Sequence, residues 1–346
     1  MADIVFITGG SGHIGSRVII DTLQAGYQVR AAVRNQNKVD KILSAPSIKA
    51  LSPGNRLDFA IVPDLLVDGA YNKAIKGATF VIHIASPIYE AHKEGESYQT
   101  TFIEPAVKGT LNILEAAKKT SSIKRIVITS SVVGIFPWKD FISGAAVNIY
   151  NEKSRTPFVP EPYHSAFEAY SASKVAALNE TEAWLEREKA LLSFDVVHIF
   201  PGFVIGAHEL ITEASDAIRG TNKVVLGPIT GLDLSYTPGT SVHLRDVSLA
   251  HVKSLDPKIP GNQGYLLTSG GLEGTHLEDS FNIVSEEFLD AVKAGALPNN
   301  GKIITVPVRI DESASEKILG FKFRSFEDQV IDMVKHYLEL VATVSD

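Results

Sequence analysis

The chain has 346 residues, enough for one large domain or about two. Its 45% hydrophobic content, 26 glycines and 16 prolines exclude a disordered, collagen-like or low-complexity chain. The 33 basic and 40 acidic residues leave a formal charge of −7 and no basic stripe, which argues against nucleic acid or an anionic membrane as partner. The absence of cysteine rules out disulfides, thiolate zinc, iron–sulfur clusters and a cysteine nucleophile.

Met1–Ile7 runs directly into an apolar strand, without a basic start or a small-residue cleavage site. No stretch reaches the roughly 18 apolar residues of a membrane span, so a cytoplasmic location is expected. Apolar runs at 4–8, 28–33, 57–62, 79–85, 123–129 and 194–200 read as strands. Val81-Ile82 and Ile126-Val127-Ile128 are nearly continuous β-branched runs, as expected of strands buried on both faces. Helical stripes lie between them: Ile14, Val18, Ile19 and Leu23 up to Gly26, then Val107, Leu111, Leu114 and Ala117 over 105–119, and a helix over 166–189. This alternation predicts an α/β fold, a Rossmann doubly wound parallel sheet with right-handed crossovers.

The regularity weakens after Pro201. Gly/Pro/Thr-rich stretches at 227–240 and 257–275 alternate with a helix near 245–254, a strand near 264–268 and helices near 285–294 and 325–342. Residues 1–205 are thus expected to form the dinucleotide-binding domain with the catalytic groups. Residues 206–346 should form a smaller C-terminal substrate-binding lobe, with 241–256 returning to the Rossmann core.

Thr8-Gly9-Gly10-Ser11-Gly12-His13-Ile14-Gly15 follows the first strand and opens the first helix. Gly9, Gly12 and Gly15 suit a tight turn, close backbone approach to a pyrophosphate, and helix packing on the strand. His13 and Ile14 lie at the helix N-terminus, where amides and dipole favour phosphate. The second strand, Gln28–Val33, is followed by Arg34 and Lys38, with none of the acid that holds the ribose hydroxyls of NAD. A guanidinium and an ammonium there suit the 2′-phosphate of NADP, the expected cofactor. Asp64 and Leu65 after the third strand could bracket the adenine. Ala85-Ser86-Pro87 and Thr129 end the fourth and fifth strands, where ligands of such sheets gather.

Tyr170 and Lys174 stand four apart on one helix face, where an ammonium draws a phenol's pKa down from near 10 towards working pH. A hydroxyl from Thr129-Ser130-Ser131, at the end of the fifth strand, could hydrogen-bond a substrate carbonyl. Tyr170 would protonate the carbonyl oxygen while a nicotinamide delivers hydride to its carbon, and Lys174 would also hold the nicotinamide ribose. The ten histidines are scattered without metal-ligand spacing, so no metal is expected.

Together with Pro201-Gly202-Phe203-Val204-Ile205-Gly206, these motifs resemble the extended short-chain dehydrogenase/reductases over essentially the whole chain. Ser241–Val247 resembles that family's strand-to-helix passage in the second lobe, and Leu319–Ser325 its C-terminal ending. Arg34, Lys38 and the 85–87 turn are most similar to the dihydroflavonol-reductase branch, which includes fungal NADPH-dependent aldehyde and ketone reductases of methylglyoxal type. The resemblance implies Ser131 as the catalytic serine beside Tyr170 and Lys174. It also implies cofactor contacts from Pro201, Gly202 and Val204.

The expected function is an NADPH-dependent carbonyl reductase giving a chiral alcohol from a small-molecule ketone or aldehyde. Val132, Val133, Phe136, Phe203 and Tyr236 are expected to wall the apolar substrate pocket, in a monomer or homodimer. A nucleotide-sugar epimerase or dehydratase is the alternative enzyme, which the missing acid after the second strand opposes. A non-catalytic dinucleotide sensor is the alternative from another class, opposed by the intact Ser131, Tyr170 and Lys174.

Overall fold

In the computed structural model, residues 2–87, 95–144 and 148–344 are described. Six strands fall within two residues of where their apolar runs place them: β1 (Ile4–Thr8), β2 (Gln28–Val33), β3 (Leu57–Ile61), β4 (Phe80–His83), β5 (Arg125–Thr129) and β6 (Asp195–Pro201). The second half adds β7 (Phe203–Ile205), β8 (Asp233–Pro238), β9 (Ser241–His243), β10 (Gln263–Leu267) and β11 (Lys302–Val306). One seven-stranded sheet has the order β10-β6-β5-β4-β1-β2-β3, and every register from β6 across to β3 is parallel. The order turns back on itself between β1 and β4, so two strand ends diverge there and leave a crevice at the carboxyl edge.

Two compact units divide the chain. The first extends to Trp138 and adds Lys153–Phe200 and Ser248–Tyr265; the second comprises Lys139–Glu152, Pro201–Val247 and the residues from Leu266 onward. The second unit thus takes in 139–152, and the segment 248–265 belongs to the first.

In the first unit, Phe6, Val81, Ile126 and Val196, in register across four strands, pack with Ile113 and Leu114 of the helix Glu104–Lys118 and Trp184 of the helix Ala166–Glu188. Each such buried side chain contributes about 1.5–3 kcal/mol, which makes the sheet a rigid support for what its ends carry. Arg125, at the start of β5, clamps the returning segment. It holds both Asp195 oxygens at 2.6 and 2.7 Å and donates to the carbonyls of Ser254, Asp256 and Ile259 at 2.7–2.9 Å.

The second unit has its own core, with Ile205, Val225, Leu226, Leu277, Val284, Val330 and Val334 packed together. Its two-stranded sheets, β7–β9 and β8–β11, are both parallel. The helix expected near 285–294 is two shorter ones, Asp279–Glu287 and Leu289–Lys293, interrupted at Phe288, whose backbone (φ −129°, ψ 34°) leaves the helical region. Among the described residues, no helix is long and apolar enough to cross a membrane.

Candidate active site

The phosphate turn is held by its own backbone: the Gly12 amide donates to Gly9 O and the Ser16 amide to Gly12 O, each at 3.0 Å. Gly9 has φ +75°, and a Cβ there would lie 2.8 Å from the Ala85 nitrogen. A Cβ on Gly15 would lie 2.1 Å from Gly9 O. Only glycine fits between the first helix and the end of β4. The helix His13–Gln24 starts at Gly12 with no side-chain cap and no acid in its first turn. Its dipole end therefore suits an anion, with His13 and Ile14 half-buried beside it.

Asn35 caps the helix Gln36–Ser44 by accepting from the Lys38 amide, which sets Arg34 and Lys38 on either side of that helix start. Arg34 is exposed and Lys38 half-buried, and neither side chain makes a hydrogen bond or ion pair among the described residues. No carboxylate stands at the end of β2, and two unpaired cations fit a phosphate monoester there better than a ribose diol. After β3, exposed Asp64 accepts from the Leu66 amide at 2.8 Å. Asn112 Nδ2 donates to the Leu65 and Val67 carbonyls at 2.8 and 3.2 Å, a brace on this loop from a distant helix that leaves no local trace in the sequence.

The helix Ala166–Glu188 starts with a reciprocal cap resembling a capping box shifted by one residue. Ser165 Oγ accepts from the Glu168 amide at 3.1 Å, and the Glu168 carboxylate accepts from the His164 amide at 2.7 Å. That fixed start sets the phase of Tyr170 and Lys174. Tyr170 is half-buried and stacks on Phe167 (6.3 Å between centroids, 17°), which meets Trp138 edge-on at 5.3 Å. Lys174 is buried, with Nζ 5.5 Å from the Tyr170 ring centroid and donating to Ser86 Oγ at 2.9 Å. Burial lowers its pKa to about 8. Ser171 Oγ donates to Val133 O at 3.1 Å and so ties this helix to the turn Val132–Gly134. Ser131 opens that turn, its Oγ accepting from the Val133 amide at 3.4 Å. Ser130 and Ser131 are both half-buried. Thr129 Oγ1 lies 2.7 Å from His251 Nε2, on the returning segment.

The first unit therefore gathers the glycine turn, Ala85-Ser86-Pro87, Thr129, Ser131, Tyr170 and Lys174 at the carboxyl ends of β1, β4 and β5 and the helix packed on them. Val132, Val133 and Phe136 are only 2, 3 and 1% exposed. Their side chains belong to the interior beneath Ser131 and offer almost no surface to solvent. Arg34, Lys38, Asp64 and Leu65 also lie in the first unit, whereas Pro201, Gly202, Phe203, Val204 and Tyr236 lie in the second. There Pro201 precedes Gly202, whose amide donates to Leu267 O at 3.0 Å, and Phe203 packs against that unit's core. Val204 is buried on β7, and Tyr236 is 71% exposed on β8, in register with Ile304.

A doubly wound sheet with a glycine turn, a strand-end serine and a Tyr-x-x-x-Lys helix defines an extended short-chain dehydrogenase/reductase. The profile of the NAD dependent epimerase/dehydratase family matches residues 5–231, and the chain belongs to that family. A ketoreductase of Cercospora beticola is 37% identical over 98% of this chain and 96% of its own. An NAD-dependent epimerase/dehydratase of Alternaria alternata is 36% identical over 94 and 95% of the two chains. The structure of a yeast methylglyoxal/isovaleraldehyde reductase with NADPH shares the fold at a TM-score of 0.81 and 23% identity, over 98% of this chain and 99% of that one. Alfalfa vestitone reductase does so at 0.70 and 21%, over 97 and 98%.

Proposed function

We propose that the protein is an NADPH-dependent carbonyl reductase that converts a small-molecule ketone or aldehyde into a chiral alcohol. The observation that carries this reading is the meeting of a buried, Ser86-bound Lys174 with the Tyr170 ring and the Ser131 strand end beside the glycine turn. The relatives support it, since the Cercospora protein is a ketoreductase and the yeast reductase was solved with NADPH.

The 9–15 turn, crowded where a Cβ would stand and with no side-chain cap or acid at its helix start, fits a pyrophosphate. Arg34 and Lys38 would hold the 2′-phosphate, and Asp64 and Leu65 the adenine. Residues 85–87, Thr129, Lys174, Pro201, Gly202 and Val204 would complete the cofactor contacts. When bound, the cofactor supplies hydride. Ser131 donates a hydrogen bond to the substrate carbonyl oxygen, and Tyr170 gives that oxygen its proton. Lys174, kept out of water, holds positive charge beside the phenol and favours its ionised form after transfer. Phe203 and Tyr236 would contact the substrate. The same reading places the enzyme in the cytoplasm as a monomer or homodimer.

A panel of ketones and aldehydes, followed by the near-ultraviolet absorbance of NADPH, tests it. Turnover of at least one class, lost in Tyr170→Phe, is expected. No consumption of NADPH with any member would refute the reading.

A further inference from the structure

His83 ends β4 opposite Thr8, which ends β1. It is 2% exposed, and its Nδ1 lies 2.9 Å from Thr8 Oγ1. That hydroxyl also accepts from the Ile84 and Ala85 amides, at 3.1 and 3.2 Å. A hydroxyl has two acceptor sites and one proton. With both acceptor sites used, its proton must go to His83 Nδ1, so the imidazole carries its own proton on Nε2. The ring is neutral, as burial and the Lys174 charge require, with its pKa down to about 3. The next residue along, Ser86, receives the Lys174 ammonium at 2.9 Å. Thr8 and His83 are thus connected to the buried lysine through the Ile84–Ala85 backbone and the Ser86 hydroxyl.

We propose that Thr8 and His83 position the Lys174 ammonium by fixing the 84–86 turn whose serine hydroxyl receives it. One hydroxyl pins two successive amides, so the chain leaves β4 in a single direction, and Gly9 allows the turn to press against the phosphate loop. The neutral imidazole serves the same end, because a second cation beside buried Lys174 would drive its proton off. The groups facing Lys174 are Tyr170 from its own helix and His83 and Ser86 from the end of β4. No carboxylate pairs with it among the described residues. The inference rests on the reductase reading for its catalytic meaning, but the contact itself can be measured without substrate or cofactor.

The measurement is the pH titration of the Lys174 13Cε resonance in the full-length protein, assigned by its disappearance in Lys174→Arg. The midpoint should lie near 8 in the parent protein. It should fall by about 1–2 pH units in Ser86→Ala, the worth of one hydrogen bond to a charged group. Thr8→Val should reproduce that fall. Thr8→Ser, which keeps the hydroxyl, and His83→Asn, whose side-chain oxygen can stand in for Nδ1, should restore the parent midpoint. Because the residues act through one contact, Thr8→Val combined with Ser86→Ala should shift no further than Ser86→Ala alone. If Thr8→Val does not fold, His83→Leu carries the same expectation of a fall. A parent-like midpoint in a folded Thr8→Val or His83→Leu protein, or additive shifts in the double variant, would overturn the proposal. The reductase reading fails separately, on the substrate panel.

Discussion

Arg34→Ala removes a side chain that contributes nothing visible to the folded state. The guanidinium is exposed and unpaired among the described residues, and Asn35, not Arg34, caps the helix that follows. The cost in stability should stay within about 0.5 kcal/mol, as for other surface changes remote from caps and cores. The proposed contact with a 2′-phosphate, by contrast, would be a charge-assisted hydrogen bond worth about 1.5–3 kcal/mol. The kcat/KM for NADPH should therefore fall roughly ten- to a hundredfold. NADH has no phosphate at that position and should change little. Lys38 remains as a point charge, so Arg34→Ala/Lys38→Ala should fall further than the single variant. The site is open to solvent, so the parent preference for NADPH should itself shrink as salt is raised, because the Debye length drops to about 3 Å at 1 M. Initial rates with each cofactor, at low and high salt, give the comparison, with thermal unfolding as the control. An unchanged NADPH-to-NADH ratio in a folded Arg34→Ala protein would remove these two residues from the cofactor site.

Tyr170→Phe keeps the ring stacked on Phe167 and removes only the hydroxyl, the proposed acid. NADPH binding should survive in fluorescence titrations while kcat falls by about 10² or more, and near-parent turnover would refute the assignment. Ser131→Ala should lower kcat by about 10² or more, with the fold unchanged by circular dichroism, because it would remove the proposed donor to the developing oxyanion. Acid should destabilise the protein through three buried imidazoles, since burial lowers His83 and His198 to about 3 and His243 to about 4. Each binds its proton near pH 6.5 only when unfolded. Their stabilisation is thus complete above that pH and is lost as pH falls towards 3–4, by about 2 kcal/mol each at pH 5. Equal urea midpoints at pH 7 and pH 5 would contradict this. Arg125→Met should cost about 3 kcal/mol in urea unfolding, by stranding Asp195 and the 254–259 carbonyls, and a loss under 1 kcal/mol would show the clamp to be dispensable.

The central strands β1, β4, β5 and β6 were legible because a parallel sheet covered on both faces asks most residues of such a strand to be apolar, and that demand is local. The glycine turn was legible for a similar reason. The crowding at Gly9 and Gly15 excludes any side chain, so the requirement is written directly as residue type. The four-residue spacing of Tyr170 and Lys174 needed only helix periodicity. The three-residue strands β7 and β9, and β8 with its exposed Tyr236, carry no such pattern, since their pairing is set by distant partners such as β11. The same holds for Val132, Val133 and Phe136, whose apolar character suits a pocket wall and an interior equally well, and only packing showed them buried. Ser86 and Lys174 are 88 positions apart, and Thr8 and His83 are 75 apart. Hydrogen bonds of that kind leave no periodic trace along the chain. They exist because the sheet sets β1 beside β4 and a helix above them, and that tertiary arrangement alone decided which hydroxyl the buried lysine would meet.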